Sequence, residues 1–136
     1  MKICRPDDMA ELVGYIKNRR RENFGIILLD NNCNLIAKKV MFVGTIKTCL
    51  VGVRELLVYA LKKDACCVVI FHNHPSGNTE PSEFDITTTN SFYESCKTVG
   101  IQLLDHIIVG RYGYFSFMKH NLMPKPKAEE KSVANV

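Results

Sequence analysis

Residues 65 to 71 read Ala-Cys-Cys-Val-Val-Ile-Phe, and His72-Asn73-His74-Pro75-Ser76-Gly77 follows directly. The first run contains no polar residue, which predicts a central β-strand covered on both faces. Within it, Cys66 and Cys67 are expected to be buried as small apolar side chains. The second run is rich in turn-forming residues and predicts a loop that extends to Pro81. Two histidines therefore stand at the end of a buried strand.

Helices and strands alternate on both sides of this run. Apolar periodicity, turn-forming residues and helix-terminating signals define their approximate bounds. The predicted elements are, in chain order, helix 6–21, strands 24–29 and 35–43, helix 53–63, helix 83–99, and strands 101–109 and 112–118. The first two strands are expected to pair antiparallel. The class is therefore α/β, or α+β with helices packed on a mixed sheet.

The composition fits one small domain. Of the 136 residues, 46% are hydrophobic and 24% are charged, which suffices for one core and leaves little room for a second domain. Neither a signal peptide nor an apolar segment of the ~20 residues that span a membrane is visible. We therefore expect a cytoplasmic protein without a membrane partner, whose six cysteines are free thiols. The domain is predicted over residues 1–120, followed by a disordered tail over 121–136, which is rich in Pro, Lys and Glu.

His72, His74 and Asp85 carry the strongest chemical signal. Residues i and i+2 of a strand point to the same face, so both imidazoles can reach one point. Asp85 lies on the first turn of the next predicted helix and can direct its carboxylate there. Two neutral imidazoles and a carboxylate suit a zinc ion whose fourth position is open for water, as in catalytic zinc sites.

Structural interpretations compete with each part of this site. Ser82-Glu83-Phe84-Asp85 fits a capping box, in which Ser82 caps the helix and Asp85 bonds back to the backbone. Glu22, the candidate general base, can instead pair with Arg19 or Arg21. The basic cluster of Lys17, Arg19, Arg20 and Arg21 is either a solvated helix end that complements the helix dipole or a phosphate-contacting patch.

Three segments together resemble the JAMM (JAB/MPN+) zinc metalloprotease motif. They are Glu22-x-x-Gly25-x-Ile27, His72-x-His74-Pro75 and Ser82-x-x-Asp85. The His-Asn-His-Pro-Ser-Gly spelling and the later Leu104-Asp105-His106-Ile107-Ile108-Val109-Gly110 are similar to the bacterial RadC-like branch of that family. The resemblance implies a cytidine-deaminase-like α/β fold, a mixed sheet with helices packed on both faces.

The resemblance also implies a role for each matching residue. His72, His74 and Asp85 match the zinc ligands. Glu22 matches the glutamate that deprotonates the zinc-activated water, and Ser82 matches the serine that helps to hold the tetrahedral intermediate.

Asp105 and His106 match the RadC-like sequence motif but are not part of the wider JAMM metal motif. His106 is either a fourth ligand or, like Asp105, a hydrogen-bond partner of a ligating histidine. An alternative is that these residues are satisfied locally within their strand.

We predict a zinc-dependent hydrolase of the metallopeptidase or isopeptidase type, which cleaves an amide bond in an unidentified peptide or isopeptide. The alternative is a non-catalytic or accessory metal-binding module in DNA repair or mobile-element biology. Full-length RadC proteins carry an N-terminal helix-hairpin-helix region, and we expect this chain to have no room for it. With a net charge of only +4, at most weak nucleic-acid binding is expected. A nuclease is disfavoured because a single zinc site lacks the paired metals common in nucleases.

Overall fold

The computed structural model describes residues 1–44 and 49–125, without the side chains of residues 49–51. The elements are, in chain order, α1 (Pro6–Val13), a 3₁₀ turn (Gly14–Ile16), β1 (Asn23–Leu29), β2 (Leu35–Val43), α2 (Cys49–Lys62), β3 (Cys67–Asn73), α3 (Glu83–Thr98), β4 (Gln102–Gly110) and β5 (Gly113–Ser116). The predicted α/β class is confirmed, and the bounds of β2 are those predicted.

The five strands form one mixed sheet in the order β2-β1-β3-β4-β5. β1 pairs antiparallel with both β2 and β3, and β4 pairs antiparallel with β5. β3 and β4 are parallel, and α3 connects them. The apolar run therefore forms the central strand, as predicted, and its last residues reach the edge of the sheet where α3 begins.

Helices cover both faces of the sheet, as the resemblance implies. Side chains of α2 and α3, including Leu56 and Phe92, pack against one face of β1 and β3. Side chains of α1 and the 3₁₀ turn, including Met9 and Ile16, pack against the other face. Because β3 is apolar on both sides, it can contribute to both clusters at once.

The first helix is shorter than the predicted 6–21. The α-helix ends at Val13, and the 3₁₀ turn that follows brings Ile16 into the core at 0% exposure. Gly14 disfavours continued α-helix, so the chain changes its winding there. Lys17 caps the 3₁₀ turn, and Arg19, Arg20 and Arg21 lie in an irregular segment before β1. The interpretation of these four residues as a basic last helical turn is therefore wrong.

The central strand begins and ends two residues later than predicted, so His72 and Asn73 belong to β3. Cys66 lies before the strand and is exposed, while Cys67, its first residue, is partly exposed. The prediction that both cysteines are buried is therefore wrong. Of the predicted tail, residues 126–136 lie outside the described residues, and that prediction stays open.

Candidate metal centre

The two histidines converge at the end of β3. His72 pairs with Phe24 of β1 in the strand register and is fully buried. His74 follows the strand, and its backbone N–H donates to the Val109 carbonyl of β4 at 3.1 Å. Gly77, at φ +90°, then turns the chain and donates its N–H to the His74 carbonyl at 2.9 Å. The two Nε2 atoms lie 3.0 Å apart, as the two-residue periodicity of a strand predicts.

Asp85 reaches these nitrogens from the first turn of α3. Its Oδ1 lies 3.2 Å from Nε2 of His72, and its Oδ2 lies 3.1 Å from Nε2 of His74. The same Oδ2 accepts a hydrogen bond from the Ser82 backbone N–H at 2.9 Å, and the Ser82 hydroxyl accepts from the Asp85 N–H at 3.1 Å. Asp85 is therefore both a member of the capping box and a candidate ligand, because the capping hydrogen bonds hold its carboxylate towards the histidines.

Glu22 completes the cluster from the segment that leads into β1. Its Oε1 lies 3.6 Å from Nε2 of His72, and its side chain is 39% exposed. In the described part of the chain, neither Arg19 nor Arg21 forms an ion pair with Glu22, and Arg19 instead donates to the Asn23 side chain at 2.8 Å. The alternative of an arginine salt bridge is thus not what the structure shows.

A chain of hydrogen bonds sets the tautomer of His72. The Thr89 hydroxyl donates to the Asp85 carbonyl at 2.8 Å, so it accepts from Nδ1–H of His106 at 2.6 Å. Complete burial lowers the pKa of His106 well below its ordinary value, which keeps this ring neutral. Its Nε2 therefore accepts from Nδ1–H of His72 at 2.8 Å. A neutral His72 in this chain carries its proton on Nδ1, so Nε2, the nitrogen that faces Asp85, is the one that can bind a metal.

A hydrogen bond also orients the ring of His74. Its Nδ1–H donates to the Asn78 carbonyl at 2.7 Å, which directs Nε2 to the same point. The hydrogen bond with Asp85 raises the pKa of His74. Burial by itself would raise the pKa of Asp85, but the hydrogen bonds with His72 and His74 outweigh it and lower that pKa. Both pKa shifts favour a protonated His74 beside an ionised Asp85 when no metal is bound.

The donor set fits a metal ion. Glu22, His72, His74 and Asp85 each offer one atom, and these four atoms all lie within 4.8 Å of one another. Two nitrogen lone pairs and a carboxylate at 3.0–3.2 Å repel unless a proton or a metal cation lies between them. Nitrogen ligands from neutral imidazoles together with carboxylate oxygen are the set that zinc prefers.

The structure gives different roles to His106 and Asp105, the two residues of the RadC-like motif. His106 donates to Thr89 and accepts from His72, so it is a partner of a candidate ligand. Asp105 is also buried, and this burial raises its pKa, but its carboxylate accepts from Ser116 Oγ at 2.5 Å and from the Met118 N–H at 2.9 Å. Asp105 also accepts the backbone N–H of His106 at 2.7 Å. It therefore secures the end of β5, and among the described residues its carboxylate forms no hydrogen bond with a histidine ring.

Two polar residues at the site had no predicted role. Thr89 lies four residues after Asp85 on one face of α3, and Asn73 lies between the two histidines. Both are 0% exposed. Two signals could have identified these residues. Asn73 is a polar residue at the end of an otherwise apolar strand, and Thr89 lies one helical turn after a candidate ligand. Their hydrogen-bond partners in other elements lie far away in the sequence.

Comparison with known proteins gives one family match, a RadC-like JAB domain over residues 3–122. A UPF0758 protein of Actinobacillus pleuropneumoniae serotype 5b (strain L20) is 45% identical over 102 residues, 75% of this chain and 46% of the relative. A UPF0758 protein of Streptococcus pyogenes serotype M49 is 37% identical over 113 residues, 83% of this chain and 50% of the relative. The chain thus spans about half the length of these relatives. Among the described residues, no helix has the length and apolar character needed to cross a membrane.

Proposed function

Because the chain belongs to the RadC-like JAB domain family, we propose that it is a zinc-dependent hydrolase that cleaves an amide bond in a peptide or isopeptide. The observation that carries the proposal is the convergence of two tautomer-defined imidazoles and two carboxylates on one point. His72, His74 and Asp85 would hold the metal. A zinc ion bound there would polarise the scissile carbonyl and acidify a water molecule.

Glu22 is the residue we assign to proton transfer. Its carboxylate lies at the rim of the cluster, close enough to His72 to contact a water molecule held at the centre. It would accept a proton from the attacking water and deliver it to the leaving amine. The Ser82 oxygen already accepts the Asp85 N–H, so the serine's own O–H proton is free to stabilise the oxyanion that develops on the substrate.

The exposure of the cluster favours catalysis over the alternative of a non-catalytic accessory module. Structural zinc sites are closed by four protein ligands, whereas catalytic sites keep an open position. The side chains of His72 and Asp85 are 0% and 6% exposed, but His74 and Glu22 are 17% and 39% exposed. The site therefore opens to solvent on the side where Glu22 lies, and a substrate can approach there.

The decisive experiment is a Glu22→Gln substitution in the zinc-loaded protein, assayed against peptide, isopeptide and nucleic-acid substrates. The variant should keep its zinc and lose roughly 10²–10⁴-fold in turnover, the usual contribution of general acid–base catalysis. Glu83→Gln is the matched control, because Glu83 is an exposed glutamate on the first turn of α3. Turnover near the wild-type rate in Glu22→Gln would remove Glu22 from the mechanism, and loss of zinc would make Glu22 a ligand.

A further inference from the structure

Asn73 lies between the two candidate ligands, yet its side chain serves another part of the chain. Successive residues of a strand point to opposite faces, so Asn73 points away from the histidine cluster. Its Oδ1 accepts the Asn23 backbone N–H at 2.6 Å. Its Nδ2 donates to the backbone carbonyls of Arg19 and Arg21, each at 3.2 Å. One buried carboxamide thus bonds to three backbone groups on either side of Glu22.

The segment that carries Glu22 lacks a regular ladder of its own. It lies between the 3₁₀ turn, which ends at Ile16, and β1, which begins at Asn23. The Glu22 carbonyl accepts the Gly44 N–H at 2.7 Å, while Asn73 bonds to the Arg21 carbonyl before Glu22 and to the Asn23 N–H after it. The Arg21 carbonyl also accepts from Nδ2 of Asn23 at 2.9 Å, but that donor lies next to the segment in the chain. Asn73 is the distant side chain that ties the backbone of this segment to β3.

We propose that Asn73 is the positioning residue for Glu22, so that residues 72–74 define both the metal site and the place of the general base. The histidines at either side of Asn73 would hold the metal on one face of β3, and the carboxamide holds the Glu22 segment on the other. The part of this proposal that concerns catalysis rests on the proposed function; the part that concerns the placement of Glu22 does not.

The chemistry of the contact specifies asparagine. Aspartate has almost the same shape and can still accept the Asn23 N–H, but it has no hydrogen to donate and would face the Arg19 and Arg21 carbonyls with negative charge. Alanine would leave all three buried backbone groups without this partner. We therefore expect both substitutions to release the Glu22 segment.

The experiment compares the full-length wild-type protein with Asn73→Asp and Asn73→Ala, and uses Asn90→Ala as the control because Asn90 is exposed on α3. The first measurement is amide hydrogen exchange by NMR at Gly44, whose N–H reports on the Glu22 carbonyl without itself bonding to Asn73. We expect exchange at Gly44 to rise at least tenfold in both variants, with zinc affinity, read by chelator competition, within about threefold of wild type. Unchanged exchange at Gly44 in Asn73→Asp overturns the proposal, whether or not a substrate is known. If Asn73→Ala does not fold, the exchange rate in Asn73→Asp alone decides whether Asn73 places Glu22.

The second measurement is a double-mutant cycle with Glu22→Gln on a substrate that the zinc-loaded protein cleaves. Asn73→Ala should lower kcat by at least tenfold in the wild-type background, leave KM nearly unchanged, and lower kcat no further in the Glu22→Gln background. Equal losses in the two backgrounds would mean a general structural role and would overturn the proposal. If Glu22→Gln alone has no effect, the proposed role of Glu22 in proton transfer fails, while the exchange at Gly44 still decides whether Asn73 places Glu22.

Discussion

Replacing Thr89 with valine tests whether hydrogen bonds behind the cluster prepare it for a metal. Valine keeps the shape of threonine but removes the hydroxyl that accepts Nδ1–H of His106. His106 then either keeps a buried N–H without a partner or moves its proton to Nε2. In the second case it can no longer accept from Nδ1–H of His72. The proton of His72 would move to Nε2, the nitrogen that faces Asp85, and would occupy the metal-binding position.

The expected size of the effect follows from the single hydrogen bond that is lost. A buried donor without its partner costs about 1–3 kcal/mol. Since about 1.4 kcal/mol corresponds to a factor of ten in an equilibrium constant, this cost allows a loss of roughly 5- to 150-fold in zinc affinity. Hydrogen-bond partners of metal ligands typically contribute about 10–100-fold to affinity, which falls in the same range. We therefore expect Thr89→Val to bind zinc about 10–100-fold more weakly.

The assay is competition with a chromogenic zinc chelator at fixed pH. Thr87→Val is the matched control, because Thr87 is exposed on the same helix and should leave the affinity unchanged. Circular dichroism would establish that both variants are folded. A folded Thr89→Val protein whose zinc affinity lies within twofold of wild type would refute the tautomer argument.

Three further results are expected. Elemental analysis should find about one zinc per chain, and His74→Ala or Asp85→Ala should lose most of it because a ligand is removed; full zinc retention by both variants would contradict the ligand assignment. In the metal-free protein the folded-state pKa of Asp85 lies below its unfolded value, so its stabilisation is present above about pH 4 and is lost as the pH falls through the folded-state value. Chemical denaturation across the acid range should therefore show a flatter pH dependence for Asp85→Asn than for wild type or Glu83→Gln, and parallel curves would argue against this linkage. Finally, DNA should bind weakly and with strong salt dependence through Lys17, Arg19, Arg20, Arg21 and the tail lysines, since a few phosphate contacts give a modest electrostatic term; tight sequence-selective binding at physiological salt would instead support the accessory role in DNA repair.

Local patterns predict much of the fold because strong short-range signals mark the elements. The bounds of β2 and the start of α3 agree with the prediction, since turn-forming residues precede β2 and Ser82 caps α3. The first helix and the two cysteines show the limit of such signals. Apolar periodicity near Ile16 fits an α-helix and a 3₁₀ turn alike, and an apolar run does not show where the sheet begins to cover it.

For the site as well, local patterns predict one part and the tertiary structure decides the rest. The sequence by itself determined that the side chains of His72 and His74 point to one place. It also determined that Asp85 lies on the first turn of the next helix, because strand alternation and helix capping act within a few residues. The resemblance to a known motif, and not the spacing, identified Glu22. Its distance from His72, the tautomers set by Thr89 and His106, and the contacts of Asn73 were decided only by the tertiary structure. These contacts join segments 17 to 54 residues apart in the chain, and the pairing of β1 with β3 and the packing of α3 against β4 bring them together. Local periodicity carries no information about such distances, so they arise only when the sheet and its helices assemble.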